Sequence, residues 1–269
     1  MTRLEFPVYL DHIRHDSARF REVLASCDPT AIVPSCPEWS AADLLWHLTT
    51  VQHWWCAMIS NRPQSAEEMG YVEPDRPAGH DALLAAYDDT HTAFIAALEA
   101  ADPAEPAHSW SGDPANHTVG FTYRRQAHEA LIHRLDAELT AGAVTPLDTA
   151  LAADGVDEAL DWMYGNLPEW GSFDPLPQYV EFRLTDAGTS VWAQPGIFAG
   201  TAPDGTVYAN EKDMHVVPAP GGAADVVVSG PAGALDAWLW HRRDDAGIDV
   251  TGDGAVWDHA REVLDQPID

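Results

Sequence analysis

The chain has 269 residues, 46% of them hydrophobic, enough to bury substantial cores and more than one domain. Its 14 basic against 43 acidic residues give a formal charge of −29, so the mean surface potential repels phosphate backbones and anionic membranes, and nucleic acid is excluded as an expected partner. No window approaches the ~20 consecutive apolar residues of a membrane span.

At the N-terminus, "MTRLEFPVYLDHIRHDSARF" carries charges throughout and no apolar core of signal-peptide length, so a cytoplasmic location is expected. From Tyr9 to Ala25, Ile13, Phe20, Val23 and Leu24 recur at roughly helical spacing until "CDPT" ends the segment. After a loop, "VPSCPEW", Ser40 stands at an N-cap position with Asp43 three residues on, a capping-box start for the tryptophan-rich helix "AADLLWHLTTVQHWWCAMI". Cys27, Cys36 and Cys56 are odd in number and form no C-x-x-C pair, which indicates neither a disulfide framework nor a cysteine zinc site and fits a reducing compartment.

A Pro- and Glu-rich loop leads to a third helix, "HDALLAAYDDTHTAFIAALEAA", whose Leu83, Leu84, Tyr87, Phe94 and Leu98 suit one buried face. A loop without periodicity, "DPAEPAHSWSGDPANHTVGF", precedes a fourth helix through Leu131, Ile132, Leu135 and Leu139 that "AGAVTP" breaks. Four long helices before residue 142 suit an up-and-down bundle. "VDEALDWMYGNL" adds one more helix, and "PEWGSFDPLPQ" reads as a linker. Beyond it, "YVEFRLT", "TSVWAQ", "DMHVVPA" and "ADVVVSG" read as strands of a small antiparallel sheet, with "PAGALDAWLWHRRDD" and "DGAVWDHAREVL" as helices and "IDVTG" as a strand. The expected architecture is thus two-domain α+β, with a helical bundle over residues 1–168 and a small α+β domain over 169–269.

The fourth helix carries "RRQAHEALIHR". Glu129 and His133 are four residues apart and lie nearly one above the other, about 400° around the axis, whereas His128 points well away from His133. Zinc enzymes typically supply three protein ligands and keep one position open. His47, within the apolar run "LLWHLTTV", is the preferred third ligand, because an imidazole facing a bundle core needs a partner and bundle sites are built from facing helices. His53, six residues on, faces about 120° away from His47. A core histidine is also commonly just hydrogen-bonded, and an i, i+4 Glu–His pair is also an ordinary surface pair. His12, His15, His80, His91, His108 and His117 read as solvated or loop residues, and Trp46, Trp54 and Trp55 as core packing.

The paired stretches "VPSCPEWSAADLLWHLTTVQHW" and "TVGFTYRRQAHEALIHRLDAE" resemble the mycothiol-dependent maleylpyruvate isomerase family, within the DinB-like metal-binding bundle superfamily. The resemblance covers nearly the whole chain and is strongest in the bundle. It implies a DinB-like four-helix bundle followed by a sterol-carrier-like α+β domain, with zinc (Zn2+) held by His47, Glu129 and His133, the residues that helix geometry also selects. It further implies an arginine of the second domain near the site, for which "WLWHRRDD" offers Arg242 first and Arg243 second.

A zinc site built from two imidazoles and one carboxylate, with an open position, binds a thiol as thiolate, whereas a free thiol with a pKa near ~8.5 is only a few per cent ionised at neutral pH. The resemblance implies mycothiol as that thiol, adding to an electrophilic small molecule. His128 and His53 are candidates for moving protons, and Asp136 for orienting His133. A general thiol S-transferase is the preferred reading, with the cis–trans isomerase of maleylpyruvate type as the alternative. A metal-dependent hydrolase using hydroxide and a non-enzymatic small-molecule binding protein rank below both. A monomer is the default expectation.

Overall fold

In the computed structural model, which describes residues 3–65, 68, 70–109 and 111–268, the first half of the chain forms four long helices. These are α1 (Phe6–Ser26), α2 (Ala41–Asn61), α3 (His80–Ala100) and α4 (Val119–Ala141). The capping box forms as the sequence suggests: the backbone N–H of Asp43 donates to Ser40 Oγ at 3.2 Å, and that of Ser40 to Asp43 Oδ2 at 2.9 Å. These bonds satisfy backbone donors that a helix start otherwise leaves open. Phe20, Val23 and Leu24 of α1, Leu44, Leu45 and Leu48 of α2 and Leu83, Leu84 and Tyr87 of α3 meet in one buried cluster. Each fully buried aliphatic side chain there contributes roughly 1.5–3 kcal/mol of transfer free energy.

The connection from α1 to α2, expected to be a loop, is a short antiparallel hairpin. β1 (Ile32–Val33) pairs with β2 (Cys36–Ser40) through Ile32 opposite Ser40 and Val33 opposite Cys36. The turn between them presents Ser35, and β2 carries Trp39. The loop before α4 contains a short 3-10 turn, Pro114–Asn116, and α4 begins at Val119 inside the stretch read as aperiodic.

A second compact unit begins at Leu147, against an expected boundary at 168/169, and the helical unit spans Leu4–Pro146. The boundary moves because α5 (Thr149–Glu158) and the π-helical turn that extends it, Ala159–Tyr164, pack with the sheet-bearing half. Tyr164 donates its hydroxyl to the carbonyl of Leu239 at 2.6 Å, and a Cβ on Gly155 would lie 2.7 Å from Asp236 Oδ2, so α5 sits in close contact with α6 (Ala232–Leu239).

The sheet of this unit comprises β3 (Gly171–Pro175), β4 (Val180–Leu184), β5 (Thr189–Thr201), β6 (Val207–Val217), β7 (Val226–Gly230) and β8 (Asp249–Gly252), with α7 (Gly254–Leu264) following. Its order is β3-β5-β4-β7-β8, with β6 on β5. β3 lies within the stretch read as a linker. The expectation of an antiparallel sheet needs one correction, because β4 and β7 run parallel, Val180 opposite Val226. A parallel neighbour requires a long return path, and the β5–β6 hairpin between them in sequence provides it. No helix among the described residues is long and apolar enough to cross a membrane.

Candidate metal centre

α4 is buried on almost every side, 19 of its 23 residues, although it carries three arginines, two histidines and three acidic residues. Burial of such groups is tolerable only if they are paired. Arg134 Nε lies 3.1 Å from Asp16 Oδ1 on α1, and Glu138 Oε1 accepts from Arg19 Nε at 2.9 Å. These pairs tie α4 to α1. His128 turns the same way: it is fully buried, with its ring edge-on to Tyr9 at 6.3 Å. Its five-residue spacing from His133 accounts for that direction.

The other side of α4 meets α2. His133 Nε2 lies 3.1 Å from Glu129 Oε1, His47 Nε2 lies 3.5 Å from the same oxygen, and the three donor atoms all fall within 4.8 Å of one another. Tetrahedral ligands with bonds of ~2.0–2.1 Å are about 3.3–3.4 Å apart. The two separations to Glu129 are thus close to the edges of such a polyhedron. Two imidazoles and one carboxylate are also a donor set suited to zinc, so the residues fit a divalent ion.

The remaining polar atoms of two of these side chains are already engaged. Glu129 Oε2 accepts from Arg125 Nη2 at 2.8 Å. His133 Nδ1 lies 2.9 Å from Asp136 Oδ2, and Asp136 Oδ1 accepts from Ser35 Oγ at 2.5 Å. A carboxylate on Nδ1 fixes the tautomer that leaves Nε2 free to bind a cation. Trp39 lies against His47, ring centroids 4.6 Å apart, and 6.5 Å from the ring of His133.

Burial works against the charge on Glu129, but the hydrogen bond and charge of His133, the bond to His47 and the charge of Arg125 outweigh it and hold the carboxyl well below its ordinary range. Burial likewise opposes charge on His133, yet Asp136 and Glu129 raise it to about 9. The two directions describe one ion pair, the carboxyl ionised and the proton on the imidazole, and a metal ion competes with that proton for His133 Nε2. Side-chain exposure rises from 8% at His133 through 16% at Glu129 to 32% at His47, which puts the accessible edge on the α2 side.

The remaining candidates have partners of their own. His53 Nδ1 is 3.2 Å from the hydroxyl of Tyr71. Arg242 belongs to the second unit, where Nη1 donates to the carbonyl of Trp240 at 2.7 Å, and Arg243 donates to the carbonyls of Asp244 and Ala246. Two histidines expected to be solvated are built into the bundle: His91 Nδ1 lies 3.0 Å from Gln52 Oε1 with its ring stacked on Tyr87, and His80 Nε2 lies 3.1 Å from the carbonyl of Leu24. Trp55 is in the core as expected, with the ring of Trp54 edge-on to it, and Trp46 packs partly buried against the cluster shared by α1, α2 and α3. Sequence reasoning missed Ser35, Trp39 and the pairing of Arg125 with Glu129. The string "PSCPEW" is visible as a motif, but nothing in it announces which helix it supports.

Two histidines and a carboxylate clustered between two facing helices of a bundle, joined in sequence to a small α+β unit, define the class: a helical-bundle protein with a donor set that could hold a metal ion. Comparison with known families narrows the class: the model of the mycothiol maleylpyruvate isomerase N-terminal domain matches residues 10–138, and that of the MDMPI C-terminal domain matches residues 150–259. The chain belongs to the mycothiol maleylpyruvate isomerase family. Among solved structures, a mycothiol-dependent maleylpyruvate isomerase is 14% identical, with 93% of this chain and 96% of that chain covered and a TM-score of 0.61. A histidine-to-alanine variant of such an isomerase matches at a TM-score of 0.56, with the same identity and coverage. A search of curated proteins finds no match.

Proposed function

We propose that the protein is a thiol-dependent cis–trans isomerase of the maleylpyruvate type, with mycothiol as the thiol and zinc held by His47, Glu129 and His133. The observation that carries this reading is the convergence of those three donor atoms within a matched isomerase N-terminal domain. The sequence alone favours a transferase; the family match moves the isomerase ahead.

A divalent ion held there supplies the charge that keeps a bound thiol ionised at neutral pH. The residues of the chain set the conditions. One carboxylate and two neutral imidazoles leave a divalent ion with net positive charge for an anionic sulfur. Arg125 and Asp136 hold Glu129 and His133 in place, so little reorganisation is needed when the ligand arrives. The sulfur adds to one carbon of the substrate's conjugated C=C bond and the neighbouring carbon becomes the carbanionic end of an enolate. Rotation about the resulting single bond and expulsion of the thiolate restore the double bond in the other geometry. No thiol is consumed. His53 enters this reading as a candidate for moving protons, and Arg242 as a cationic partner for a substrate carboxylate; His128, expected from the sequence to share the proton role, is buried against Tyr9 on the α1 side of the helix and is set aside. A monomer in a thiol-rich cytoplasm completes the proposal.

The test combines metal analysis of the purified protein and its His47→Ala and Glu129→Ala variants with an assay of maleylpyruvate in catalytic mycothiol. One zinc per chain in the wild type, its loss in both variants, and isomerisation with undiminished thiol are expected. Stoichiometric loss of thiol into a conjugate would establish the transferase instead, and zinc retained in both variants would remove the ligand assignment. Arg242→Met should raise KM for the dicarboxylate while leaving metal content unchanged.

A further inference from the structure

Gln126 lies on α4 and is 1% exposed, and neither its Nε2 nor its Oε1 has a hydrogen-bond partner among the described residues. Several of its buried neighbours on the helix behave otherwise. Arg125, His133, Arg134, Asp136 and Glu138 are buried too, and each is held by a named partner. A carboxamide offers two donors and an acceptor with two lone pairs, and burying them unmet carries a desolvation penalty that leucine or methionine at the same position would avoid. Such a group calls for an explanation beyond packing.

Its position suggests one. Gln126 precedes Glu129 by three residues and His133 by seven, rotations of about 300° and 700°, which place it within about 60° and 20° of those ligands around the helix. Residues three apart on one face have Cβ atoms roughly 5–6 Å from each other, and helical side chains lean toward the N-terminus. Gln126 therefore stands beside the metal-binding donors, on the N-terminal side of Glu129.

We infer that Gln126 is a ligand-binding residue whose carboxamide pairs with an amide carried by the low-molecular-weight thiol. The inference rests on the proposed thiol chemistry of the centre and names what the centre recognises beyond the sulfur. An amide matches because it presents an acceptor and a donor side by side, the complement of Oε1 and Nε2 together. A carboxylate would satisfy Nε2 alone and leave Oε1 facing a second oxygen.

The experiment uses the full chain loaded with cobalt, whose thiolate-to-metal absorption band reports thiol binding, with wild type, Gln126→Leu and Gln126→Met. N-acetylcysteine methylamide is the amide-bearing probe and 2-mercaptoethanol the amide-free one. Loss of two neutral hydrogen bonds should weaken the amide-bearing thiol roughly 10- to 100-fold in both variants. Affinity for 2-mercaptoethanol and cobalt content should stay at wild-type values, with thermal stability equal or higher. Equal affinity of wild type and variants for the amide-bearing thiol overturns the inference and leaves the thiol reading intact. Cobalt-loaded wild type that binds neither probe overturns the thiol reading itself. Two variants that both fail to fold or to load cobalt would make Gln126 a structural residue, which also overturns the inference.

Discussion

Replacing Asp136 by asparagine tests whether the centre is organised from behind its ligands. Asp136 is fully buried, with one oxygen 2.9 Å from His133 Nδ1 and the other 2.5 Å from Ser35 Oγ. Asparagine keeps the shape and one acceptor, and its amide nitrogen can donate to the Ser35 hydroxyl, which rotates to accept. Packing and hydrogen-bond count therefore survive, and the lost element is the negative charge that makes His133 Nε2 a better base. Removing such a partner typically costs 10- to 100-fold in metal affinity, about 1.4–2.7 kcal/mol. Competition for zinc against a chelator of known affinity measures this, with far-UV circular dichroism expected to be unchanged. Ser35→Ala should give a smaller loss in the same direction, which Ser35→Thr, retaining the hydroxyl, should largely abolish. Asp136→Asn with wild-type zinc affinity, in a preparation where His47→Ala abolishes binding, would refute the reasoning.

His91 is held near pKa 4 rather than 6.5, chiefly by burial, with Asp88 opposing the shift and Arg14 adding to it. Because the folded state resists protonation, the unfolded chain binds more protons between those values. Stability should therefore fall as pH drops from about 6.5 to about 4, by about 1–2 kcal/mol from this group after allowance for its partial exposure. His91→Gln keeps a donor toward Gln52 without the titration and should flatten that part of the curve in denaturant titrations at stepped pH. A slope unchanged by the substitution would rule the assignment out. In the second unit, Gly155→Ala places a methyl group 2.7 Å from Asp236 Oδ2, whose residue is almost fully buried. Overpacking of this kind costs typically 1–3 kcal/mol, seen as a lower melting temperature with zinc content preserved.

The long helices of the bundle were legible because apolar periodicity and end signals agree, as at Ser40 and Asp43. β1 and β2 were not. They are two and five residues long, contain a proline, and show no alternation of buried and exposed positions, so nothing local marks them as strands. β3, "GSFDP", pairs with β5 although glycine and proline are poor strand residues. Its pairing comes from β5, whose 13 residues serve β3, β4 and β6 in turn. Glu129 and His133 could be paired from spacing alone, since both lie on one helix. Ser35 and Trp39 could not, because their partners lie on other elements far along the chain, about a hundred residues away for Ser35 and Asp136.

α4 ties the side chains of the centre into more hydrogen bonds and ion pairs than its motif suggests. A helix with polar residues on every side would ordinarily read as solvent-exposed, yet this one is almost wholly buried. That burial is tenable because its charged groups are paired in sequence-local and long-range sets: Arg125 with Glu129, His133 with Asp136, Arg134 with Asp16, and Glu138 with Arg19. Two of those pairs reach α1 and fix where the helix lies. The other two consume the atoms of Glu129 and His133 that point away from the centre. What remains for a cation is one oxygen and one nitrogen from α4, joined by His47 Nε2 from α2. The same low-dielectric surroundings that strengthen these bonds make any unpaired polar atom expensive, which is why Gln126, unpaired beside them, is better understood as half of a contact that a ligand completes.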